Sequence, residues 1–252
     1  MTAERLLVSL PVSPFSERAR WALDHHRLAY KTFIHEPFVG EGKLRKVVGP
    51  GKKATAPVLV EGDVVITDST AIARHADAIG ASTTLFPAGR DADIDHWVAL
   101  ANDASSAGRA LVTRALLNSP RALDETLPPL LGPLRPLLRP VTRHGTRWFG
   151  RKYNVAIDDD AIAAATAAVR QALLTLRAAL AGKRCLLDEF SYADIVAALI
   201  LQSATPVKHA AFPLLPATRA AWTSPALTAE FSDLLAWRDE LYATHRPLPV
   251  RA

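Results

Sequence analysis

The chain has 252 residues, of which 49% are hydrophobic, enough for one large domain or two smaller domains with separate cores. It has a single cysteine, Cys185, and no run of about 18 apolar residues, which argues against an intrachain disulfide, a thiol-only metal site and a membrane span. The formal net charge of +5 is concentrated in residues 135–152, which hold six cations and no acid, whereas a general nucleic-acid binder spreads its positive charge more widely. The first residues lack the basic and apolar regions of a signal peptide, so we expect a cytoplasmic protein.

The first 80 residues alternate strand signals with helix signals. Ser13 and Pro14 suit the N-cap and the first position of a helix, and Gly62-Asp63 between two β-branched runs indicates a hairpin. Residues 36–53 are rich in glycine and lysine, which favours irregular structure. In chain order we predict a strand at 5–10, a helix at 13–26, a strand at 29–35, a hairpin at 56–67 and a helix at 68–80.

Everything after residue 90 reads as helix or connection. Six prolines between residues 119 and 141 break any helix there, and Ser191 with Asp194 has the spacing of a capping box. Helices are predicted at 91–117, 158–182, 190–202 and 224–247, and the alanine-rich 158–182 has the pattern of a buried central helix. We therefore divide the chain into a first domain at 1–80, a linker at 81–90 and an all-helical domain at 91–252.

Four short motifs, in this order along the chain, resemble the cytosolic glutathione S-transferases. They are Ser13-Pro14-Phe15 ahead of a helix, Ala56-Pro57 before a strand, Asp68-Ser69 at a helix start, and the sequence FSYADI at 190–195. Each motif alone is weak evidence, but the ordered set extends over nearly the whole chain, and the proline-rich stretch 119–152 is the part that fits poorly. The resemblance implies an α/β thioredoxin-like N-terminal domain followed by an all-α helical-bundle C-terminal domain.

The resemblance makes Ser13 the candidate catalytic residue. With cysteine in place of Ser13 and Ser16 the segment would have the C-P-F-C frame of a dithiol redox site, but serine forms no disulfide with glutathione. A hydroxyl at a helix N-terminus can instead donate a hydrogen bond to the glutathione thiolate and lower the pKa of the thiol. The alternatives are that Ser13 only caps the helix and that Ser16, one turn further in, is the activating hydroxyl.

The resemblance also implies contacts along the whole glutathione peptide. The amide and carbonyl of Ala56, before Pro57, would bind the cysteinyl backbone as an added strand, and Asp68 with Ser69 would hold the γ-glutamyl end at a helix N-terminus. For the glycyl carboxylate the candidates are Lys43, Lys52 and Lys53. The alternatives are an edge-strand proline, a plain helix cap and solvated loop lysines.

Phe15 would line both the glutathione site and a hydrophobic co-substrate site, completed by Asn102, Ser105 and Arg109 of the 91–117 helix. The implied protein is a serine-type glutathione transferase acting on a small electrophile in detoxification, as a homodimer with no metal and no permanently bound cofactor. Two alternatives stay open within this resemblance. One is a glutathione-dependent isomerase or dehalogenase, and the other is a non-catalytic ligand carrier or scaffold.

The basic segment 135–152 has arginines spaced by four residues, with Trp148, Phe149 and Tyr153 interleaved near its end. This pattern is typical of a solvated basic helix face with aromatic residues turned inward. Alternatively, the segment could form one wall of a site for an anionic co-substrate, or it could contact a membrane surface or RNA.

Overall fold

The N-terminal domain is built on a mixed four-stranded sheet. In the computed structural model, which describes residues 4–36, 40–51, 53–127 and 129–248, its strands are β1 (Arg5–Ser9), β2 (Lys31–Ile34), β3 (Val58–Glu61) and β4 (Val64–Ile66). The strand order is β2-β1-β3-β4. β1 runs parallel to β2 and antiparallel to β3, and β3 pairs antiparallel with β4 as the predicted hairpin requires.

Helices cover both faces of this sheet, because successive side chains of a strand point to opposite faces. The helices are α1 (Pro14–His25), α2 (Glu41–Val48) and α3 (Ser69–Ile79). Leu7 of β1 packs into the cluster with α1 and α3, whereas the next residue, Val8, packs with Leu44 and Val48 of α2. The irregular structure predicted for 36–53 is therefore wrong over α2, whose apolar stripe is short and surrounded by glycine and lysine.

The rest of the described chain is helical. Its helices are α4 (Asp91–Asn118), α5 (Pro120–Glu125), α6 (Arg139–Lys152), α7 (Asp159–Leu180), α8 (Tyr192–Ile200), α9 (Pro216–Trp222), α10 (Pro225–Glu230) and α11 (Ser232–His245). A 3₁₀ segment (Pro129–Leu138) joins α5 to α6. The α-helical structure is thus interrupted in the proline-rich stretch, as the prolines predict. The single helix predicted at 224–247 is divided at Phe231. The architecture is a thioredoxin-like domain followed by a helical domain, as the sequence predicts.

The buried centre of the helical domain is α8. Every residue of α8 is buried, whereas α7 buries one stripe that includes Val169 and Leu176. The prediction of a buried central helix at 158–182 is therefore wrong, because small alanine side chains make an exposed helix face look apolar. Asp194 forms the predicted capping box with Ser191 at the start of α8 and also accepts a hydrogen bond from the Leu186 N–H at 2.8 Å.

The end of the helical domain is tied back to α1 by buried charges. Arg246 donates hydrogen bonds to Glu17 and to Asp24, each at 2.7 Å, and all three side chains are buried. Beside them, the Trp21 indole N–H donates to the carbonyl of His245 at 2.8 Å. These contacts hold α1, which carries Ser13 at its N-terminus, between the sheet and the helical domain.

Candidate functional site

Three of the four sequence motifs lie at one edge of the sheet. The register pairs Val8 of β1 with Val58 of β3, and Leu59 of β3 with Ile66 of β4. Because β1 and β4 both run antiparallel to β3, the ends of β1 and β4 meet the start of β3. The chain segments next to these strand ends carry Ser13, Ala56-Pro57 and Asp68-Ser69. The topology therefore brings the three motifs to a common edge.

Ser13 is the N-cap of α1. Its backbone is extended, with φ −86° and ψ 128°, and its Oγ accepts a long hydrogen bond of 3.5 Å from the Ser16 N–H. No residue in the described part of the chain accepts a hydrogen bond from the Ser13 hydroxyl. Ser16 is fully buried, and its Oγ accepts from the Leu10 N–H at 3.0 Å. Ser16 therefore holds the loop before α1, whereas the hydroxyl proton of Ser13 is available to a ligand.

The Ser-Pro cap at Ser13 is one of three in this chain. Ser119, before Pro120, accepts from the Ala122 N–H at 3.3 Å, and Ser224, before Pro225, accepts from the Leu227 N–H at 3.4 Å. The same local sequence thus makes the same cap in each place. The sequence motif by itself does not separate a catalytic serine from a cap, and what distinguishes Ser13 is its position at the shared sheet edge.

Ala56 and Pro57 precede β3 directly. Their peptide bond is cis, as the resemblance implies, and Pro57 is buried. The N–H and the carbonyl of Ala56 make no hydrogen bond with any described residue. Both backbone groups are therefore available to a peptide ligand that extends along this edge.

Asp68 and Ser69 open α3. The Asp68 Oδ1 accepts from the N–H groups of Thr70 and Ala71, both at 2.9 Å, which makes Asp68 an N-cap, and its other oxygen accepts from no described residue. Ser69 is buried beside Tyr192 of α8, whose hydroxyl donates to the Thr70 hydroxyl at 3.4 Å. Burial raises the pKa of Tyr192, so it remains neutral. The sequence analysis did not identify Tyr192 as a neighbour of the site, although the FSYADI motif contains it.

A buried guanidinium, that of Arg18, lies beneath this edge. Its Nη1 donates to the Asn102 amide oxygen of α4 at 2.6 Å, and its Cζ is 4.8 Å from the centroid of the Phe15 ring. Its Nε and Nη2 have no hydrogen-bond partner among the described residues, and no described carboxylate forms an ion pair with it. Burial lowers the pKa of Arg18, but an arginine remains charged. The sequence analysis missed Arg18, since nothing local separates it from a surface arginine of α1.

Arg109 of α4 lies near the same aromatic ring. Its Cζ is 6.0 Å from the Phe15 centroid and 4.4 Å from the Tyr153 centroid. Asn102, Ser105 and Arg109 are spaced by three and four residues and thus share one face of α4. Ser105 is buried, and its Oγ has no hydrogen-bond partner among the described residues. The structure therefore places the predicted co-substrate residues Asn102 and Arg109 around Phe15, together with Tyr153 from the end of α6.

The predicted lysines separate in the structure. Lys43 is exposed, with its Nζ 5.5 Å from the Phe33 ring centroid, whereas Lys53 lines a cavity of about 440 Å³ next to the loop before Pro57. Lys52 lies outside the described residues. The same cavity is lined by Lys152, whose Nζ donates to both oxygens of Glu41, at 2.8 and 2.7 Å, and to the carbonyl of Ala54 at 3.2 Å. Lys152 comes from the basic segment, and its place here results from a contact between distant parts of the chain.

The described residues contain no cluster of histidine, cysteine, aspartate and glutamate that could hold a metal ion. Cys185 is half-buried, and burial raises the pKa of its thiol to about 11, so it is a poor nucleophile at neutral pH. In the part of the chain that the structure covers, no helix is both long enough and apolar enough to cross a membrane.

Comparison with known proteins places the fold among known structures. Residues 7–83 match the sequence model of the glutathione S-transferase N-terminal domain. No curated protein sequence is significantly similar to the chain. Among solved structures, a glutathione S-transferase from Rhodospirillum rubrum F11 is 21% identical with a TM-score of 0.58, covering 97% of this chain and 96% of that one. A glutathione S-transferase from Xanthobacter autotrophicus Py2 is 15% identical with a TM-score of 0.61, covering 98% and 97%.

The solved structure of an enzyme named for a different activity has the same fold. The β-etherase LigF from Sphingobium sp. strain SYK-6 is 18% identical, with a TM-score of 0.60 and 96% of both chains covered. At such identities the likeness extends to the fold and not to the reaction. Residues 7–83 therefore match the model of the glutathione S-transferase N-terminal domain, and the chain has, over nearly its whole length, the fold of structures solved as glutathione S-transferases.

Proposed function

We propose that this protein is a glutathione transferase in which the Ser13 hydroxyl stabilises the thiolate of bound glutathione. The observation that carries the proposal is the position of Ser13 at the N-terminus of α1, where its hydroxyl proton is not used by any described residue. This hydroxyl lies on the same sheet edge as the unpaired backbone groups of Ala56 and the N-terminus of α3. A peptide thiol that extended along that edge would meet the hydroxyl.

The proposed stabilisation addresses a defined energetic problem. A free thiol has a pKa of about 8.5, so only about 3% of it is ionised at pH 7. A pKa lower by about 2 units, equivalent to about 2.7 kcal/mol, would make most of it thiolate. A hydrogen bond from Ser13 and the positive end of the α1 dipole both favour the anion. The charge of Arg18, which no described carboxylate neutralises through an ion pair, acts in the same direction.

The remaining contacts would orient the peptide. The Ala56 amide and carbonyl would pair with the cysteinyl backbone, and Ser69 with the free oxygen of Asp68 would hold the γ-glutamyl group. The glycyl carboxylate would lie toward the cavity that Lys53 lines. Phe15 would then separate glutathione from the co-substrate, which would bind against α4.

A direct test uses glutathione and 1-chloro-2,4-dinitrobenzene. The thiolate attacks the ring carbon that bears chlorine, a C–S bond forms, chloride leaves, and the thiol proton passes to solvent. We expect the parent protein to catalyse this reaction and Ser13→Ala to be at least about tenfold slower, while both bind glutathione with similar affinity by titration calorimetry. Equal rates for parent and variant would contradict the role of Ser13.

The same two measurements separate the enzyme from a carrier. A parent protein that binds glutathione but turns over no electrophile would be a ligand-binding protein with the transferase fold. A parent protein that binds no glutathione would contradict the proposal altogether. Ser224→Ala is the matched control, since it removes the same kind of Ser-Pro cap at a helix away from the sheet edge.

A further inference from the structure

Two guanidinium groups lie beside one aromatic ring, and neither forms an ion pair with a described carboxylate. Arg18 and Arg109 have their Cζ atoms 4.8 and 6.0 Å from the Phe15 centroid. Among the described residues neither one forms an ion pair, and Arg109 donates no hydrogen bond at all. The surroundings of the Phe15 ring are therefore cationic.

The carboxylates close to this region do not form an ion pair with Arg109. Both oxygens of Glu41 accept from Lys152, and one also contacts His35 at 3.3 Å. Asp68 uses Oδ1 to cap α3. The charge of Arg109 consequently has no internal counterion in the described structure.

The environment of Arg109 makes an external counterion favourable. Burial lowers the pKa of Arg109, which means that the charged form has lost part of its hydration without gaining an anion. The faces of Tyr153 and Phe15 supply some compensation, since aromatic rings attract cations. Aromatic faces leave the in-plane N–H donors unused, and a planar carboxylate can accept two of them at once.

We propose that the co-substrate of this site is an anionic electrophile, whose carboxylate or similar group pairs with Arg109 while its apolar body contacts Phe15. This inference rests on the function proposed above and narrows its substrate class. Ser105, on the same face of α4 as Arg109, has a buried hydroxyl without a described partner and makes no contact with the ligand. Arg18, being fully buried, contributes charge from beneath the ring and makes no contact with the ligand.

The test compares two electrophiles that differ only in charge, 4-chloro-3-nitrobenzoate and 4-chloro-3-nitrobenzamide. In both, the thiolate displaces chloride and the thiol proton passes to solvent. Each kcat/KM is divided by the rate of the uncatalysed reaction, because the carboxylate activates the ring less. We expect the parent protein to prefer the benzoate at least about tenfold and Arg109→Gln to lose that preference. Arg109→Lys should retain part of it, since it keeps the charge without the planar fork.

Arg121→Gln, which removes an exposed arginine of α5, is the matched control and should keep the full preference. Thermal melting of each variant shows that it is folded. If the parent turns over the benzamide but shows no preference for the benzoate, the inference fails and the proposed function stands. If Arg109→Gln instead raises the KM for glutathione with both electrophiles and leaves the preference intact, Arg109 binds glutathione and the inference is wrong.

If neither electrophile is turned over, the proposed function is judged by 1-chloro-2,4-dinitrobenzene alone, and the anion site is still tested by binding. The probe is then the unreactive 4-methyl-3-nitrobenzoate, measured by titration calorimetry. If the probe binds to the parent, and its affinity for Arg109→Gln is at least about tenfold lower, the anion site is supported. Absence of binding to the parent overturns it.

Discussion

The Arg18 guanidinium donates a 2.6 Å hydrogen bond to the Asn102 amide oxygen, and this bond joins the first helix of the sheet domain to the long first helix of the helical domain. It is the one hydrogen bond that satisfies any part of this buried guanidinium among the described residues. Arg18 therefore fixes the relation between the two walls of the candidate site, and its charge lies beneath Phe15.

Asn102→Ala should destabilise the protein by about 1–3 kcal/mol, because it leaves the last satisfied donor group of a buried arginine without an acceptor. Urea denaturation would measure the change. Asn118→Ala, at the exposed end of the same helix, is the control and should change stability by less than about 0.5 kcal/mol. Equal stability of both variants would show that the amide does not support Arg18.

Ser13→Ala should separate catalysis from capping. Its loss of stability should match that of Ser224→Ala, about 1 kcal/mol, because both remove a long cap hydrogen bond next to a proline. In contrast to Ser224→Ala, it should also move the midpoint of the pH–rate profile upward by about 1 unit or more, since the thiolate loses a donor. An unmoved midpoint would leave Ser13 as a cap only.

Asp68→Asn should weaken glutathione binding without weakening the helix cap. The amide oxygen of asparagine can still accept from the Thr70 and Ala71 N–H groups, so melting should change little. Loss of the negative charge beside the γ-glutamyl ammonium should raise the KM for glutathione about 5- to 150-fold, equivalent to about 1–3 kcal/mol. A large stability loss with an unchanged KM would return Asp68 to a purely structural role.

Asp194 should make the protein less stable as the pH rises. Burial raises the pKa of its carboxyl from 3.8 to about 6, so between these values the folded protein keeps a proton that the unfolded chain has released. The free energy of unfolding of the parent, relative to Asp194→Asn, should therefore fall by up to about 3 kcal/mol from pH 4 to pH 7. Urea denaturation at several pH values tests this, and Asp188→Asn, which removes an exposed carboxylate, is the control. If the free energy of unfolding of the parent, relative to Asp194→Asn, instead rose with pH, the hydrogen bonds to the Asp194 carboxylate would stabilise its charged form by more than burial destabilises it.

Arg246→Met should cost about 3–5 kcal/mol of stability, because Glu17 and Asp24 would remain buried without their shared cation. Lys31→Met breaks an exposed pair with Glu4 and should cost less than about 1 kcal/mol. Chemical denaturation of the two variants beside the parent gives both values. Similar costs for the two variants would mean that the buried charges are solvated in ways the structure does not show.

Local sequence determined the element types and the caps. Proline and serine at helix starts, the Gly62-Asp63 turn and the Ser191–Asp194 capping box act within a few residues, so their effects were predictable from the sequence. The ordered motifs were also enough to predict a thioredoxin-like domain followed by a helical one. Short or alanine-rich helices such as α2 and α7 were misjudged, because their burial depends on neighbours distant in sequence.

The charge pattern of the site was decided by tertiary structure alone. Arg18 and Arg109 are 91 positions apart, and nothing in the residues around either one predicts that both approach Phe15 or that neither finds a carboxylate. Lys152 meets Glu41 and Ala54 in the same way, through contact between the basic segment and the sheet domain. Local propensity acts over a few residues, whereas desolvation and ion pairing depend on which distant side chains share a volume, and only the folded chain sets that.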